Sequence, residues 1–329
     1  MPGSAWEFTQ VAGTILRLLA PETGRLAVPR PFLKWVGGKG QLLGELVRRF
    51  DIADPSGCYH EPFVGGGALF FELVRTGRLK GAAFLSDANP NLIEAYKAVR
   101  DTVDDLIELL VAHTKRHSEK YYYEVRAKTP KTPEERAARL IYLNKTCFNG
   151  LYRENSKGEF NVPFGKYENP TICDESNLRA VAKALQLADI SVRTFASVLE
   201  LARAGDFVYF DPPYYPLSKT SSFTSYSKDG FGDEGQRQLA STALELSNRG
   251  AFVLLSNSSA KFIYQLYQDF QIEEVLANRA INSNATRRGK IPEVLVNNYL
   301  GGGKVVRSFS SIAATAGPDL VQQRWQATL

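Results

Sequence analysis

Asp211-Pro212-Pro213-Tyr214 is the tetrapeptide of this chain whose side chains are best suited to chemistry. It directly follows the apolar run Phe207–Phe210, and this order predicts a buried strand that ends at a site. Neither proline can donate to a β-ladder, so the backbone carbonyls beyond Asp211 stay available as acceptors. A carboxylate, rigid carbonyls and an aromatic face suit a flat substrate that carries an amino group. For the tetrapeptide alone, a strand that simply ends in prolines is the better interpretation.

A glycine-rich turn, Phe63-Val64-Gly65-Gly66-Gly67, lies between a predicted short strand and the helical pattern Ala68–Arg75. Glycines at such a place let the backbone approach a ligand and direct the amino end of the helix at it. Asp87 ends the next predicted strand, roughly twenty residues after the turn, as in units that hold ribose hydroxyls. The pattern indicates an adenosine-containing cofactor. It leaves open a dinucleotide, S-adenosylmethionine (AdoMet) or a purely structural turn.

A second glycine-rich segment, Phe32 to Gly40, contains Gly38-Lys39 and so invites comparison with a phosphate-binding P-loop. The comparison fails at two positions. Leu33 stands where the first glycine of such a loop is required, and Gly40 stands where a metal-binding hydroxyl is required. A nucleotide triphosphate site is therefore not predicted here.

Two segments combine cations with aromatic and amide side chains. In the first, residues 145–167, glycine dipeptides predict loops and a hairpin, and the second covers residues 282–290. Cations hold phosphates, amides read base edges, and aromatic rings stack or wedge. These segments are candidates for contact with nucleic acid, although an exposed loop with ordinary lysines explains the first equally well.

The elements that must position these residues alternate between strands and helices. Predicted strands end at Glu61, Ser86, Phe210 and Leu255, and this rhythm predicts an α/β fold with a mostly parallel sheet covered by helices on both faces. A helix-rich insertion separates the second strand from the third. Within it, continuous helices are predicted over 92–110 and 133–148, and a further helix is predicted later in the chain, over 259–270.

Composition restricts the class of protein. The 329 residues are 44% hydrophobic and 23% charged, with a net charge of +5, so a polyanionic partner is permitted but not required. The three cysteines show no C-x-x-C spacing, and His113 and His117 lack a neighbouring acid cluster, so neither a disulfide framework nor a metal site is expected. With no long apolar run and no basic leader, we expect a cytoplasmic protein that does not span a membrane.

The motifs, in their order along the chain, resemble the Dam-type (alpha-group) class of site-specific DNA adenine-N6 methyltransferases. The resemblance extends from residue 31 to about residue 300. It rests on Phe-Leu-Lys-Trp-Val-Gly-Gly-Lys at 32–39, Glu-Pro-Phe-Val-Gly-Gly-Gly at 61–67, Ser-Asp-Ala-Asn at 86–89, Asn-Gly-Leu-Tyr-Arg with Gly-Glu-Phe-Asn-Val-Pro-Phe-Gly within 149–165, Asp-Pro-Pro-Tyr at 211–214 and Leu-Ser-Asn at 255–257.

The resemblance implies a Rossmann-like AdoMet-dependent core with an inserted helical target-recognition domain that carries a β-hairpin. The core takes residues 31–95 and 189–305, the insertion takes 96–188, and residues 1–30 and 306–329 are extensions. It further implies that Asp211, Pro212, Pro213 and Tyr214 are catalytic, and that AdoMet is held by Trp35, Lys39, Phe63, Gly65, Gly67, Asp87 and Asp211. An adenine inside a duplex cannot present its amine to a buried methyl group, so it must be flipped out.

Contact with double-stranded DNA is implied for a specificity hairpin at about 151–166 and for residues around it. The implied contacts are Lys34, Asn149, Tyr152, Arg153, Asn155, Lys157, Pro163, Lys166, Arg287 and Arg288. Members of this class often read GATC, but Glu154 stands here where several have an aromatic residue, and Lys157 stands where arginine is found. A glutamate near phosphates is repelled unless it accepts from a cytosine amine or pairs with Arg153.

Several alternatives remain at this point. A methyltransferase of RNA adenine or of a protein glutamine amide could use the same pocket, although the glutamine enzymes carry Asn in place of Asp211. A nicotinamide-dependent dehydrogenase explains the glycine turn but not Asp-Pro-Pro-Tyr, and a non-catalytic DNA-binding homologue needs no intact site. We further expect a monomer that holds no metal and that has a separately encoded restriction endonuclease as its partner.

Overall fold

The computed structural model describes residues 28–35, 37–217, 231–278 and 290–300. The predicted extension before residue 28, the tail after residue 300 and the pair Arg287 and Arg288 lie outside these ranges. The strands are β1 (Tyr59–Glu61), β2 (Ala83–Asp87), β3 (Ala188–Val192), β4 (Phe207–Phe210), β5 (Phe252–Ser258), β6 (Gln271–Asn278) and β7 (Lys290–Asn297).

The strands form one seven-stranded sheet in the order β3-β2-β1-β4-β5-β7-β6. Neighbours from β3 to β5 are parallel, whereas β7 runs antiparallel to both β5 and β6. The prediction of a mostly parallel α/β sheet is confirmed. Because parallel strands end at the same edge, this arrangement brings the carboxyl ends of β2, β1, β4 and β5 together.

Helices cover the two faces of the sheet. They are α1 (Leu43–Ala53), α2 (Ala68–Arg75), α3 (Pro90–Asp101), α4 (Val103–Arg116), α5 (Glu119–Ala127), α6 (Pro133–Thr146), α7 (Glu175–Leu185), α8 (Val198–Leu201), α9 (Asp233–Asn248) and α10 (Lys261–Leu266). Successive residues of β4 enter different cores. Phe207 and Tyr209 pack with α1 to α7, whereas Val208 and Phe210 pack with α8 to α10, as the alternation of a buried strand requires.

Two predicted helices differ from the structure. The pattern over 92–110 is broken at Thr102, whose φ of −137° and ψ of 43° leave the helical region and separate α3 from α4. Apolar periodicity continues across this break and therefore does not reveal it. The helix predicted over 259–270 is confined to α10, with Ala260 extended before it.

The predicted helix at 133–148 begins as expected, because Thr132 and Glu135 form a capping box and Pro133 occupies the first turn. It ends two residues early, at Thr146. Beyond it, the predicted β-hairpin is reduced to isolated bridges between Cys147 and Phe164 and between Glu154 and Phe160. No helix in the described part of the chain is long and apolar enough to cross a membrane.

Candidate active site

Acidic and polar side chains gather where the parallel strands end. Glu61 ends β1, Asp87 ends β2, Asp211 follows β4, and Ser256 and Asn257 lie near the end of β5. Glu61, Asp211 and Ser256 each follow buried strand residues, whereas buried and half-buried residues alternate before Asp87 in β2. The sheet itself sets the positions of these side chains. The strand order places Asp87 and Asp211 at the same edge of the sheet.

The Asp211 carboxylate is held by two donors on the same oxygen. Lys39 Nζ lies 2.8 Å from Oδ1, and Ser256 Oγ donates to Oδ1 at 2.9 Å. Burial raises the pKa of Asp211, and the positive charge of Lys39 opposes that shift. The side chain is thus fixed by groups from the amino-terminal turn and from β5.

Lys39 is a buried cation that joins three parts of the site. Only 7% of the residue is exposed, and Nζ donates to the Gly37 carbonyl oxygen at 2.5 Å. Gly37 has a φ of +83°, a conformation that glycine adopts without a steric penalty, and it turns the chain so that Lys39 points back into the site. The ammonium also lies 4.7 Å from the centroid of the Tyr214 ring, within the range of a cation–π contact.

The residues after Asp211 are tied to their surroundings. Gln236 Nε2 donates to the Pro213 carbonyl at 3.0 Å, and the Tyr215 amide donates to Asn257 Oδ1 at 3.1 Å. Tyr214 donates its hydroxyl proton to Glu293 Oε2 at 2.7 Å. The turn is therefore preorganised by side chains from α9, β5 and β7.

The glycine turn approaches Trp35 closely. Gly65 has a φ of +46°, and a Cβ at this position would lie 2.8 Å from Cδ1 of Trp35. The Gly65 carbonyl accepts from the Tyr96 hydroxyl at 3.0 Å. Gly67 directly precedes α2, has a φ of +66° and provides no side-chain cap, so the first backbone amides of α2 have no capping side chain.

Asp87 faces the same turn. Its Oδ2 accepts the Gly65 amide at 3.3 Å and its Oδ1 accepts the Asn89 amide at 2.9 Å. Burial raises the pKa of this carboxyl, and the backbone hydrogen bonds oppose the shift. Phe63, predicted to share the cofactor site with Trp35, packs 5.4 Å from Phe195 between ring centroids and belongs to the opposite core.

Sequence reasoning missed Glu61. It is 3% exposed, accepts from the Tyr59 hydroxyl at 2.9 Å, and has its pKa raised to about 8, chiefly by burial. The negative charge of nearby Asp211 raises it further. The signal was present, because Glu61 ends its strand directly before the glycine turn just as Asp87 and Asp211 end theirs.

The segment after α6 extends from the core as a loop with exposed cations, which we call the recognition loop (residues 148–166). Arg153, Lys157 and Lys166 are exposed, and the Arg153 guanidinium donates to Asn161 Oδ1 at 2.7 Å. Asn149 is exposed with a φ of +57°. Next to it, Phe148 is 51% exposed, an aromatic ring that the sequence interpretation did not single out.

The base of the recognition loop contacts Trp35. Tyr152 stacks on Trp35 with ring centroids 5.3 Å apart and an angle of 28°. Its hydroxyl contacts Asn91 Nδ2 at 3.1 Å and donates to Glu154. Glu154 accepts from the Tyr152 hydroxyl and from Asn91 Nδ2, and its contact with a cytosine amine or with Arg153 in the presence of DNA stays a prediction.

Other predicted DNA contacts are placed as follows. Lys34 is exposed, and its Nζ lies 4.9 Å from the Tyr167 ring centroid. Its backbone amide donates to Asn144 Oδ1, and its carbonyl accepts from Asn144 Nδ2. Pro163 is exposed, and Asn155 is half-buried and accepts from the Lys157 amide at 2.9 Å. Arg287 and Arg288 are not among the described residues.

Comparison with known proteins decides the family. Residues 35–281 match the model of the D12 class N6 adenine-specific DNA methyltransferases. The chain belongs to this class. The resemblance drawn from the motifs is confirmed, and the protein is an adenine-specific DNA methyltransferase whose substrate is DNA and whose cofactor is AdoMet.

Individual relatives agree with this D12-class assignment. The chain is 43% identical over 278 residues to "Type II methyltransferase M1.LlaDCHI" of Lactococcus lactis subsp. cremoris, covering 82% of this chain and 95% of the relative. It is 44% identical over 287 residues to "Type II methyltransferase M.MjaIII" of Methanocaldococcus jannaschii, covering 82% and 99%. It is 37% identical over 272 residues to "DNA adenine methylase" of Escherichia coli K12, covering 81% and 94%.

The strand edge fits AdoMet. Asp87 and Asp211 contribute two carboxyl groups, and Lys39 compensates one of them, whereas Glu61, with its pKa raised to about 8, keeps its proton at neutral pH. The remaining carboxylate favours a cationic sulfonium there. Among the described residues, no cluster of His, Cys, Asp and Glu could hold a metal ion. His113 and His117 contact the hydroxyls of Tyr121 and Tyr142, at 2.8 and 3.0 Å, in the helical region.

Proposed function

We propose that this methyltransferase acts on an adenine flipped out of double-stranded DNA, with Asp211 Oδ2 and the Pro212 carbonyl accepting the two hydrogens of the N6 amine. The observation that carries this assignment is the asymmetry at Asp211. Lys39 and Ser256 both bind Oδ1, so Oδ2 is the oxygen left to face a substrate amine. An amine held by two acceptors is drawn toward the tetrahedral shape that a nucleophilic nitrogen requires.

Tyr214 is assigned to stacking. Lys39 contacts both the Tyr214 ring and the Asp211 carboxylate, so the ring and the carboxylate lie close together. An adenine stacked on Tyr214 therefore has its amine near Asp211 Oδ2 and the Pro212 carbonyl. Bound AdoMet supplies an electrophilic methyl group on a sulfonium. The transferred methyl replaces an amine hydrogen, and that proton leaves to Asp211 or water. Orientation by preset acceptors, rather than strong base catalysis before attack, is the main contribution of the chain.

Trp35, Gly65, Gly67 and Asp87 are assigned to AdoMet. The Asp87 carboxylate can accept ribose hydroxyl protons in addition to its backbone donors, and the Trp35 face suits the sulfonium. Phe63 keeps its predicted cofactor role in this proposal through the backbone of the turn, since its ring packs with Phe195.

The recognition loop and Lys34 are assigned to DNA. Exposed Arg153, Lys157 and Lys166 supply cations for phosphates or guanine edges, and Asn149 supplies an amide. The half-exposed Phe148 ring is suited to wedge between bases when adenine leaves the stack. On this basis residues 96–188 form the target-recognition domain, inserted between the core segments 31–95 and 189–305.

The test is transfer of labelled methyl from AdoMet to unmethylated duplex DNA, with sequencing to locate the mark. GATC is the first target sequence to compare with scrambled duplexes. Asp211→Ala should abolish turnover while DNA binding stays within a few-fold, with Asp269→Ala on the exposed surface as matched control. Full activity of Asp211→Ala, or transfer to RNA and not DNA, contradicts the proposal.

We also propose a role in restriction and modification, because two similar relatives carry the name Type II methyltransferase. The mark would protect DNA from a separately encoded endonuclease. Plasmid methylated in vitro by this protein should resist an endonuclease that cuts at the mapped site, and cleavage of fully methylated plasmid would refute this role.

A further inference from the structure

Glu293 reaches the candidate active site from β7, the antiparallel strand. It lies opposite Ser258 of β5 in the sheet register, and its Oε2 accepts the hydroxyl proton of Tyr214 at 2.7 Å. Tyr214 is thus held at two points, with its hydroxyl on Glu293 and its ring 4.7 Å from Lys39 Nζ. Neither the sequence motifs nor the reaction chemistry requires a carboxylate at position 293.

A hydrogen bond from a phenol to a carboxylate is charge-assisted and therefore stronger than a neutral one. It fixes the far end of the ring, because the hydroxyl lies at the tip of the side chain, while Lys39 over the ring face restrains rotation of the ring about its long axis. When the ring is already fixed, a base that stacks on it is positioned without a further loss of conformational entropy of the Tyr214 side chain. Misplacement of the base by about 1 Å can reduce a rate roughly 100-fold.

The rest of the turn shows that the Tyr214 ring needs such a support. The Tyr215 amide and carbonyl are bound by Asn257 and Ser258, and Pro213 is bound by Gln236, but these contacts hold the backbone only. The contact with Glu293 acts on the Tyr214 side chain itself. It also links the ring to the strand that extends the sheet beyond β5.

We propose that Glu293 is a positioning residue for methyl transfer, which fixes the position of the Tyr214 ring against which the flipped adenine stacks. The proposal rests on the stacking role assigned to Tyr214 under the proposed function. Glu293 does not touch the reacting atoms, and its effect passes through the Tyr214 hydroxyl.

The same hairpin of β6 and β7 offers a matched control. Glu274 of β6 accepts from the Tyr264 hydroxyl, so it forms a tyrosine–carboxylate pair of the same kind. Tyr264 belongs to α10, and this pair lies on the exposed surface rather than at the strand edge. Glu274→Ala therefore removes an equivalent hydrogen bond and leaves Tyr214 untouched.

The experiment compares Glu293→Ala, Glu293→Gln, Tyr214→Phe and Glu274→Ala in the full chain. Single-turnover methyl transfer is measured with saturating AdoMet, and base flipping is followed by the fluorescence of 2-aminopurine at the target position. We expect Glu293→Ala to slow transfer about 10- to 100-fold. DNA affinity should stay within about 3-fold, and Glu293→Gln, which keeps an acceptor oxygen, should recover much of the rate.

The double variant Glu293→Ala with Tyr214→Phe separates positioning from general loss of stability. Because both changes remove the same hydrogen bond, the double variant should transfer methyl no more slowly than the slower of the two single variants. The proposal would be overturned if the rate loss of the double variant equalled the product of the two single losses. It would also be overturned if Glu293→Ala and Glu274→Ala transferred methyl at the same rate. Should Glu293→Ala fail to fold, Tyr214→Phe tests the same bond from its other end. Failure of the wild-type protein to methylate any DNA would instead reject the proposed function.

Discussion

Lys39 Nζ and Asp211 Oδ1 lie 2.8 Å apart, although one residue belongs to the first turn of the described chain and the other follows β4. Both side chains are largely buried, with 8% and 19% of their side-chain surface exposed. The pair joins the glycine-rich turn that contains Gly37 and Lys39 to the Asp-Pro-Pro-Tyr turn, so the position of each turn depends on the other.

Lys39→Met should destabilise the fold as well as stop the reaction. Removal of one partner from a buried ion pair leaves the other charge uncompensated, which typically costs about 3–5 kcal/mol of unfolding free energy. Urea unfolding at pH 7.5 measures this cost. The double variant Lys39→Met with Asp211→Asn should regain most of the stability but no activity. If both variants are equally unstable, the charge imbalance is not the cause.

Glu61 should make stability depend on pH. Its folded-state pKa of about 8 lies above the ordinary 4.5, because burial disfavours the charged form. The folded chain therefore keeps a proton that the unfolded chain releases, and the free energy of unfolding falls as pH rises from about 4.5 to about 8. The slope is roughly 1.4 kcal/mol per pH unit.

Glu61→Gln should remove this slope. In denaturant titrations, the free energy of unfolding of the variant should therefore increase relative to that of the wild type as pH rises from 5 to 8. Glu72→Gln is the control, since Arg75 lowers the pKa of Glu72 and gives it no such slope in this range. Parallel curves for the wild type and Glu61→Gln would show that Glu61 is ionised throughout.

Lys157→Ala should reduce discrimination between the target sequence and altered duplexes, because a good contact to a base edge contributes about 1–3 kcal/mol. Fluorescence anisotropy with matched labelled duplexes measures it. Lys183→Ala, an exposed lysine on α7, is the control. An equal loss of affinity for every duplex would assign Lys157 to a phosphate instead.

Tyr152→Leu should weaken AdoMet binding by about 0.5–1.5 kcal/mol, because it removes a stacked partner of Trp35. Tyr152→Phe keeps the ring and should bind AdoMet as the wild type does. Calorimetry with S-adenosylhomocysteine distinguishes the two variants. Equal weakening by both would attribute the effect to the hydroxyl contact with Asn91 instead.

Sequence patterns were sufficient for the sheet. Asp87 ends one predicted strand and Asp211 follows another, and parallel strands end at the same edge, so the shared edge of these two acids follows from the pattern alone. The capping box of Thr132 likewise predicted where α6 begins. These features depend on residues close together in the sequence.

Contacts between distant segments could not be predicted in this way. The pairs Lys39 with Asp211 and Tyr214 with Glu293 depend on how the amino-terminal turn and β7 dock at the strand edge. The stacking of Tyr152 on Trp35 could not be predicted either, because an aromatic side chain gives no sign of its partner, and the expected contact of Tyr152 with DNA stays a prediction. The break at Thr102 depends on the backbone conformation of one residue.

Asn144 sets a limit on how this enzyme could be given a new target sequence by exchanging segments between relatives. Its amide donates to the carbonyls of both Lys34 and Gly150, and its Oδ1 accepts the Lys34 amide at 2.8 Å. A transplanted recognition loop would thus arrive without its anchor unless the donor segment begins within α6. If the recognition loop contacts DNA as proposed, the segment that must be exchanged to change specificity is longer than that loop.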